Sequence, residues 1–294
     1  MPFNSLGELA LETGIPEIEL WRYALHTERF YRRFFLQKKS GGSRLITAPN
    51  KNLKAVQRWI SKNILSAVPF HFIATGYKRG CSIVDNASPH ANKDFVLNVD
   101  IENFFGTIDE ARVLNVFIGL GYSPAIAKAL SRLTTCRGTL PQGAPSSPLL
   151  ANLICRPLDH KLHNLCASSG WTCTRYCDDI SVSGYGSHKE VKAKITSIIE
   201  SEGFRLNNRK VRLVTKLGRQ MVTGLVVNQF PNLSRTRRRN LRAALHRASL
   251  EPEQYRDKAQ QLQGQISFLE MVRPDDPSLP KYKAMLAKLQ EAWQ

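Results

Sequence analysis

The chain has 294 residues, of which 42% are hydrophobic and 22% charged, so it can bury a large core in one multi-part unit or in two to three subdomains. Its 42 Lys and Arg residues outnumber its 24 Asp and Glu residues, and the net charge of +18 favours a polyanionic partner, nucleic acid before an anionic membrane. No apolar run could span a bilayer, the start lacks a signal-peptide layout, and the six cysteines form no CxxC pair, so we expect a cytoplasmic protein with reduced thiols and no membrane partner.

Helical and strand patterns alternate in the first hundred residues. Residues 5–33 have helical periodicity, interrupted near Gly14-Ile15-Pro16. Apolar segments at 31–36 and 45–46 flank a basic turn at 38–44, which predicts a β-hairpin with a positively charged tip. A helix at 51–66 and a buried strand at 95–101 follow.

The rest of the chain predicts a mixed α+β region and then a helical one. Its expected elements are helices at 109–133 and 146–167, strands at 171–176 and 180–183, a helix at 187–203, and strands at 204–215 and 220–227. From Pro231 the composition changes, and residues 235–247 hold six arginines and no acid. Leu241 and Leu245 are four residues apart, so a helix here would turn them inward and the arginines outward.

Carboxylates follow two of the predicted strands. Asp178 and Asp179 lie in the turn between the strands at 171–176 and 180–183, and Asp100 ends the strand at 95–101. An Asp pair in a turn is by itself usually solvated turn chemistry. Three carboxylates at adjacent strand ends, however, form a hard oxygen site that suits Mg²⁺, and two such ions about 4 Å apart can clamp a phosphoryl transfer.

Three further segments are ambiguous when each is taken alone. The loop at 140–148 brings Gly143 before a helix N-terminus, which favours phosphate or a stacked nucleotide, but it is also typical of a simple turn that begins a helix. Residues 221–225 read as a strand with a glycine break, and residues 86–90 as an Asx/Pro turn.

Taken in order, these segments resemble a reverse transcriptase of the bacterial retron type. The resemblance rests on Asn-Val-Asp-Ile-Glu-Asn-Phe-Phe at 98–105, Leu-Pro-Gln-Gly-Ala-Pro-Ser-Ser-Pro at 140–148, Tyr-Cys-Asp-Asp at 176–179 and Gly-Phe-Arg-Leu-Asn-Asn-Arg-Lys at 203–210. Asn-Ala-x-x-His at 86–90 and Val-Thr-Gly at 222–224 indicate the retron branch. The similarity covers about residues 30–270, and one departure is Cys177 where the family usually has alanine.

The resemblance implies a right-hand polymerase fold in the α+β class. N-terminal helices and the fingers would occupy residues 1–94. The palm, with an antiparallel sheet, would occupy residues 95–230, and a helical thumb would occupy residues 231–294. The implied cofactor is a pair of Mg²⁺ ions.

The resemblance also assigns roles to individual residues. The implied metal ligands are the carboxylates of Asp100, Asp178 and Asp179 and the carbonyl of Ile101, and Lys210 is a candidate proton donor near the pyrophosphate. The implied nucleotide-binding set comprises Lys38, Arg44, Ile101, Phe105, Gln142 and Gly143, with Phe105 as the steric gate that selects deoxynucleotides. The implied nucleic-acid contacts are Asn86, His90, Val222, Thr223, Gly224, Arg235, Arg237, Arg238, Arg239 and Arg242.

The function implied by this resemblance is RNA-directed DNA synthesis in a retron. Expected partners are dNTPs, a structured non-coding RNA that serves as template and primer, its RNA–DNA product, and an effector protein in anti-phage defence. Priming from an RNA 2′-hydroxyl would give multicopy single-stranded DNA. The alternatives are a group II intron-like or diversity-generating reverse transcriptase, or a non-catalytic RNA-binding scaffold.

Overall fold

The computed structural model describes residues 5–37 and 41–292, and its first elements are short helices and a hairpin. In chain order they are α1 (Leu6–Thr13), α2 (Glu17–Leu25), β1 (Tyr31–Gln37), β2 (Ser43–Pro49), α3 (Lys51–Asn63) and α4 (Ile83–Ala87). The Ser5 hydroxyl caps the start of α1, and Gly14 ends it with φ at +67°. The helical pattern predicted over 5–33 therefore divides at Gly14, whereas the predicted β1–β2 hairpin is confirmed.

The central region is a four-stranded antiparallel sheet with helices packed on it. Its elements are β3 (Phe95–Asp100), α5 (Glu110–Gly119), α6 (Pro124–Thr134), α7 (Ser147–Ile154), α8 (Arg156–Ser168), β4 (Thr172–Tyr176), β5 (Asp179–Gly184), α9 (Val191–Ser201) and β6 (Arg212–Thr215). The strand order is β4-β5-β3-β6. Two stretches predicted as single helices are each broken in two, one after Gly121 turns left-handed at φ +88° and one where Pro157 opens α8.

A small hairpin leads into the C-terminal helices. The elements are β7 (Met221–Val222), β8 (Leu225–Val226), α10 (Arg235–Leu250), α11 (Ala259–Val272) and α12 (Leu279–Ala292). Thr223 and Gly224 both have positive φ, +45° and +82°, which is the signature of a type I′ turn. The segment predicted as one strand with a glycine break is thus a two-stranded hairpin.

The two faces of β3 border two separate hydrophobic cores. Phe95, Leu97 and Val99 belong to a large core that also takes in α1–α3 and α5–α9. Val96, on the opposite face, belongs to a second core built from β7, β8 and α10–α12. This follows from the alternation of side chains along a strand. The sheet that carries the predicted carboxylates is therefore supported on both sides.

Within residues 5–37 and 41–292, no helix is both long enough and apolar enough to cross a bilayer.

Candidate active site at the end of the sheet

Strand pairing brings the three predicted carboxylates to one end of the central sheet. The antiparallel register of β3 with β5 places Asp100 opposite Asp179. Next to this pair, the backbone N–H of Ile101 donates a hydrogen bond to the carbonyl of Asp178 at 3.0 Å. The chain segments that carry the acids are far apart in sequence, and the fold unites them.

A tight turn presents Asp178. Tyr176 pairs with Asp179, so Cys177 and Asp178 alone form the connection between β4 and β5. Cys177 has φ at +62°, the conformation for which a two-residue hairpin ordinarily uses glycine. Gly76 lies against this turn, and a Cβ atom at position 76 would come within 2.6 Å of the Cys177 nitrogen. A larger residue than glycine would therefore push the turn away.

The carboxylates crowd one another. Asp179 is exposed, but partial desolvation by its neighbours first, and then the negative charges of Asp178 and Asp100, raise its pKa to about 6, and its carboxyl group is in hydrogen-bond contact with that of Asp100. Asp100 also accepts hydrogen bonds from Lys210 Nζ at 2.6 Å and from Asn207 Nδ2 at 3.2 Å. Partial burial lowers the pKa of Lys210, but the hydrogen bond and the surrounding carboxylates outweigh it and raise the pKa overall. Lys210 therefore keeps its proton.

This donor set fits hard divalent cations. Two carboxyl groups in contact need a proton or a cation between them, and carboxylate oxygens are the ligands that Mg²⁺ prefers. Within the described residues, no group of three or more His, Cys, Asp or Glu side chains is arranged as a ready-made metal site. Mg²⁺ does not need such a cage, because it keeps several waters and uses substrate phosphates as further ligands.

A cleft of about 490 Å³ opens beside the carboxylates. Its walls include predicted site residues from every region of the chain before the thumb: Arg44, Asp100, Ile101, Phe105, Gln142, Asp178 and Lys210. The predicted nucleotide residue Lys38 lies outside the described residues. The fold thus brings most of the predicted nucleotide and metal residues around one space.

The loop that carries Gln142 and Gly143 is joined to the β1–β2 hairpin. The Thr47 N–H donates to the Gln142 carbonyl at 2.8 Å, which extends the pairing of β2 onto this loop. Gly143 has φ at +129°, and a Cβ atom there would lie 2.9 Å from Ile46 Cγ2. Gly143 itself is therefore a packing position, whereas Leu140, Pro141 and Gln142 of the same loop border the cleft.

Phe104 and Phe105 have different environments. Phe104 is only 4% exposed and packs against Phe204, with ring centroids 5.9 Å apart. Phe105 is half-buried, and both rings border the cleft. The two neighbours lie in a 3-10 helix and differ in how deeply they are buried.

Sequence reasoning missed several residues that border the cleft. They are Arg33, Tyr77, Asn103, Arg137 and Asn207. Tyr77 has φ at +58°, and burial together with the neighbouring Cys177 thiol raises the pKa of its phenol. The sequence gives no periodic signal for Tyr77, since it stands in a loop and reaches the site only because Gly76 packs on the turn. Asn103 and Asn207 stand within the recognised motifs at 98–105 and 203–210, and Arg33 stands in the predicted strand β1.

The two motifs that indicate the retron branch are mostly interior. His90 is fully buried, and its ring nitrogens bond to Ser183 Oγ at 2.7 Å and Thr174 Oγ1 at 2.8 Å. Asn86 is 1% exposed and accepts a hydrogen bond from Thr75 Oγ1 at 2.6 Å. Burial leaves both side chains no surface for the direct nucleic-acid contact predicted from the sequence.

The second motif packs against the first. The side-chain nitrogen of Asn86 donates to Thr223 Oγ1 at 3.4 Å, and Thr223 donates to the Ile83 carbonyl at 3.2 Å. Val222 is 1% exposed, in the second core. Gly224, in the turn, has open space at its Cα, so it is the member of this motif with room for a partner.

Helix α10 exposes most of its arginines. Arg235, Arg237, Arg239 and Arg242 are exposed, as the prediction of a basic outer face requires. Arg238 differs, since it is partly buried and its guanidinium lies 2.7 Å from the buried Asp276. Arg238 therefore holds α10 to the segment before α12, and this internal pairing removes the basis for its predicted nucleic-acid contact.

The antiparallel sheet, its carboxylate turn and the helical C-terminal region define a template-directed polymerase with the right-hand fold. Comparison with known proteins specifies which. Residues 36–263 match the family described as reverse transcriptase (RNA-dependent DNA polymerase), and the chain belongs to that family.

Curated relatives place the chain among the retron reverse transcriptases. It is 37% identical to the Retron Ec86 reverse transcriptase of Escherichia coli, over 83% of this chain and 78% of that one. It is 34% identical to the Retron Mx65 reverse transcriptase of Myxococcus xanthus, over 91% of this chain and 68% of that one. The prediction of an RNA-directed DNA polymerase is confirmed.

A solved structure supports the fold. A telomerase from Candida tropicalis, truncated from its C-terminal domain, superposes with a TM-score of 0.51. The match covers 73% of this chain and 58% of the telomerase at 11% identity, which is similarity of fold alone.

Proposed function

We propose that this enzyme copies a structured non-coding RNA into multicopy single-stranded DNA, starting from a 2′-hydroxyl of that RNA and using two Mg²⁺ ions. The observation that carries the proposal is the convergence of Asp100, Asp178 and Asp179 beside a cleft bordered by Arg44 and Gln142. The membership in the retron reverse transcriptases supports the choice of RNA and of the product.

Each residue around the cleft has a proposed task. Bound by the three aspartates and the Ile101 carbonyl, the ions would lower the pKa of the attacking hydroxyl and neutralise the leaving pyrophosphate. Arg44 would grip the triphosphate of the incoming dNTP, because a guanidinium makes bidentate phosphate contacts. Lys210 keeps its proton and is therefore the candidate proton donor to pyrophosphate.

The three regions of the chain would then act as fingers, palm and thumb. We propose the boundaries 1–94, 95–230 and 231–294 for them. The second core supports a separate thumb unit, and because it includes Val222 and Leu225, thumb packing begins with the β7–β8 hairpin. We further propose an effector protein as partner in anti-phage defence, on the strength of the retron relatives alone.

The catalytic proposal is tested by DNA synthesis on the structured RNA encoded beside the gene. Purified protein with this RNA, dNTPs and Mg²⁺ should extend the RNA, and the double variant Asp178→Asn plus Asp179→Asn should lose synthesis by several orders of magnitude. A matched control removes two exposed acids instead, by Glu12→Gln plus Asp257→Asn. Filter binding should show that both double variants still hold the RNA; synthesis by the first variant would disprove the catalytic assignment.

A further inference from the structure

A fully buried arginine lies directly behind the turn that carries Asp178. Arg175 is the penultimate residue of β4, and its side chain is 0% exposed. Its Nη1 donates to the carbonyl of Cys177 at 3.0 Å. The guanidinium thus contacts the backbone of the one residue in the turn with positive φ.

Two helices fix the position of this guanidinium. The carboxylate of Asp159 in α8 accepts a bidentate pair of hydrogen bonds from Arg175, one from Nε at 2.6 Å and one from Nη2 at 2.7 Å. Asn152 of α7 accepts a further bond from Nη1 at 3.1 Å. A planar guanidinium held at both Nε and Nη2 has little freedom to rotate, so its Nη1 donor points in a fixed direction.

The same network returns to the turn from its other side. Asn152 Nδ2 donates to the carbonyl of Gly76 at 2.7 Å, and Gly76 packs on the Cys177 nitrogen. The Cys177 peptide is therefore held at its carbonyl by Arg175 and enclosed at its nitrogen by Gly76. Asp178 follows immediately, and its own carbonyl is bound by the Ile101 N–H.

We propose that Arg175 is a positioning residue, which holds the Cys177–Asp178 turn in the conformation that presents the Asp178 carboxylate to divalent cations. Asp159 and Asn152 orient Arg175 for this task. The inference rests on the proposed metal-binding role of Asp178. It assigns a function to a buried ion pair whose residues do not line the cleft.

Stability alone does not account for this arrangement. Replacing both members of a buried ion pair with apolar residues of similar size is often neutral for folding, so an apolar pair could stabilise the same packing. An apolar pair cannot donate to the Cys177 carbonyl. A double variant with an apolar pair therefore tests the two roles separately, because it can keep the fold stable while it removes the hydrogen bond to the Cys177 carbonyl.

The decisive variant is Arg175→Met combined with Asp159→Leu, which removes the donor without leaving a buried charge unpaired. Its matched control is Lys161→Met combined with Glu202→Leu, which removes a 2.6 Å ion pair between the half-exposed Lys161 of α8 and Glu202 at the end of α9. Arg175→Lys is a second variant, because it keeps the charge beside Asp159 but cannot serve Asp159 and Cys177 together. Melting in EDTA identifies the variants that fold.

The readout is Mn²⁺ binding to the RNA-free protein, measured by calorimetry and by the loss of the free-ion EPR signal. Both Arg175 variants should bind Mn²⁺ about tenfold or more weakly than the wild type, as happens when a metal ligand loses the group that supports it, while the Lys161 control binds normally. Hydrogen exchange of the turn amides should rise in the same variants.

Two outcomes would overturn the positioning role. One is a double variant that folds and binds Mn²⁺ as the wild type does. The other outcome applies if the double variant fails to fold, and it is an Arg175→Lys variant that binds Mn²⁺ as tightly as the wild type does. Failure of the metal proposal itself is distinguishable, since Asp178→Asn would then bind Mn²⁺ like the wild type.

Discussion

Phe105 is half-buried, whereas Phe104 is buried against Phe204, and both rings border the cleft. We predict that Phe105→Ala lowers the preference for dNTPs over rNTPs by about tenfold or more, because the ring no longer fills the space beside the ribose 2′ position. Single-nucleotide incorporation kinetics with each nucleotide measure the ratio. Phe104→Leu is the control, and an unchanged ratio in Phe105→Ala would remove the steric gate from this position.

Residue-level chemistry was predictable where a motif carried it. Asp100, Asp178, Gln142 and Lys210 all stand in recognisable runs, and they border one cleft, beside which Asp179 pairs with Asp100. Tyr77 was not predictable, because a loop residue with positive φ has no periodicity and reaches the cleft only through the packing of Gly76. Arg175 was part of a strand pattern, and nothing local shows that its partner is Asp159.

At the scale of elements, His90 joins β4 and β5, the two strands of the hairpin that carries Asp178 and Asp179. Its ring bonds to Thr174 on β4 and to Ser183 on β5, and burial, with a smaller effect from Lys93, lowers its pKa to about 3. The folded protein therefore keeps His90 neutral, while an unfolded histidine takes up a proton below about pH 6.5. This contribution to stability is complete above pH 6.5 and is lost as the pH falls towards 3.

We predict that His90 makes the wild type lose about 2 kcal/mol of unfolding free energy between pH 7 and pH 5. His90→Leu should be less stable at pH 7, since two buried hydroxyls lose their partner, and should lack this share of the pH dependence. Urea denaturation at both pH values measures it, with the exposed His246→Leu as control. If the unfolding free energy of His90→Leu changed between pH 7 and pH 5 as much as that of the wild type, His90 would not be the source of this pH dependence.

Elements were predictable in kind and less so in extent. The β1–β2 hairpin and the β4–β5 hairpin follow from alternating patterns and turn residues. Two predicted long helices are pairs of shorter ones, because periodicity continues across Gly121 and Pro157 although the backbone does not. The β7–β8 hairpin was not predicted, because Thr223 adopts a positive φ, which is unusual for threonine and cannot be inferred from the sequence around it.

At the scale of the molecule, the net charge of +18 includes exposed arginines on helix α10, in the region proposed as the thumb. We predict that changing Arg235, Arg239 and Arg242 together to Gln weakens RNA binding. The salt dependence of binding should also fall, by about one unit of slope for each phosphate that the variant no longer neutralises. Filter binding across a salt series measures the slope.

The matched control for the thumb variant lies on another helix. It changes three exposed cations of α3, Lys51, Arg58 and Lys62, to Gln, so both variants lose the same charge. An equal fall in RNA affinity and in slope for the two variants would indicate an effect of net charge rather than a thumb contact.

The covalent form of the product tests the central claim most directly. The proposal predicts that nucleic acid copurifying with the protein, from cells that express it together with a structured RNA encoded beside its gene, contains DNA joined to RNA through a 2′-hydroxyl. Ribonuclease treatment followed by sequencing should show DNA that is complementary to that RNA. The DNA should be linked to a single RNA nucleotide, and a debranching enzyme should cut this 2′ link. The same preparation from the Asp178→Asn plus Asp179→Asn variant should contain the RNA alone. DNA from the wild type that carries no RNA junction, or equal DNA from the variant, would contradict the account.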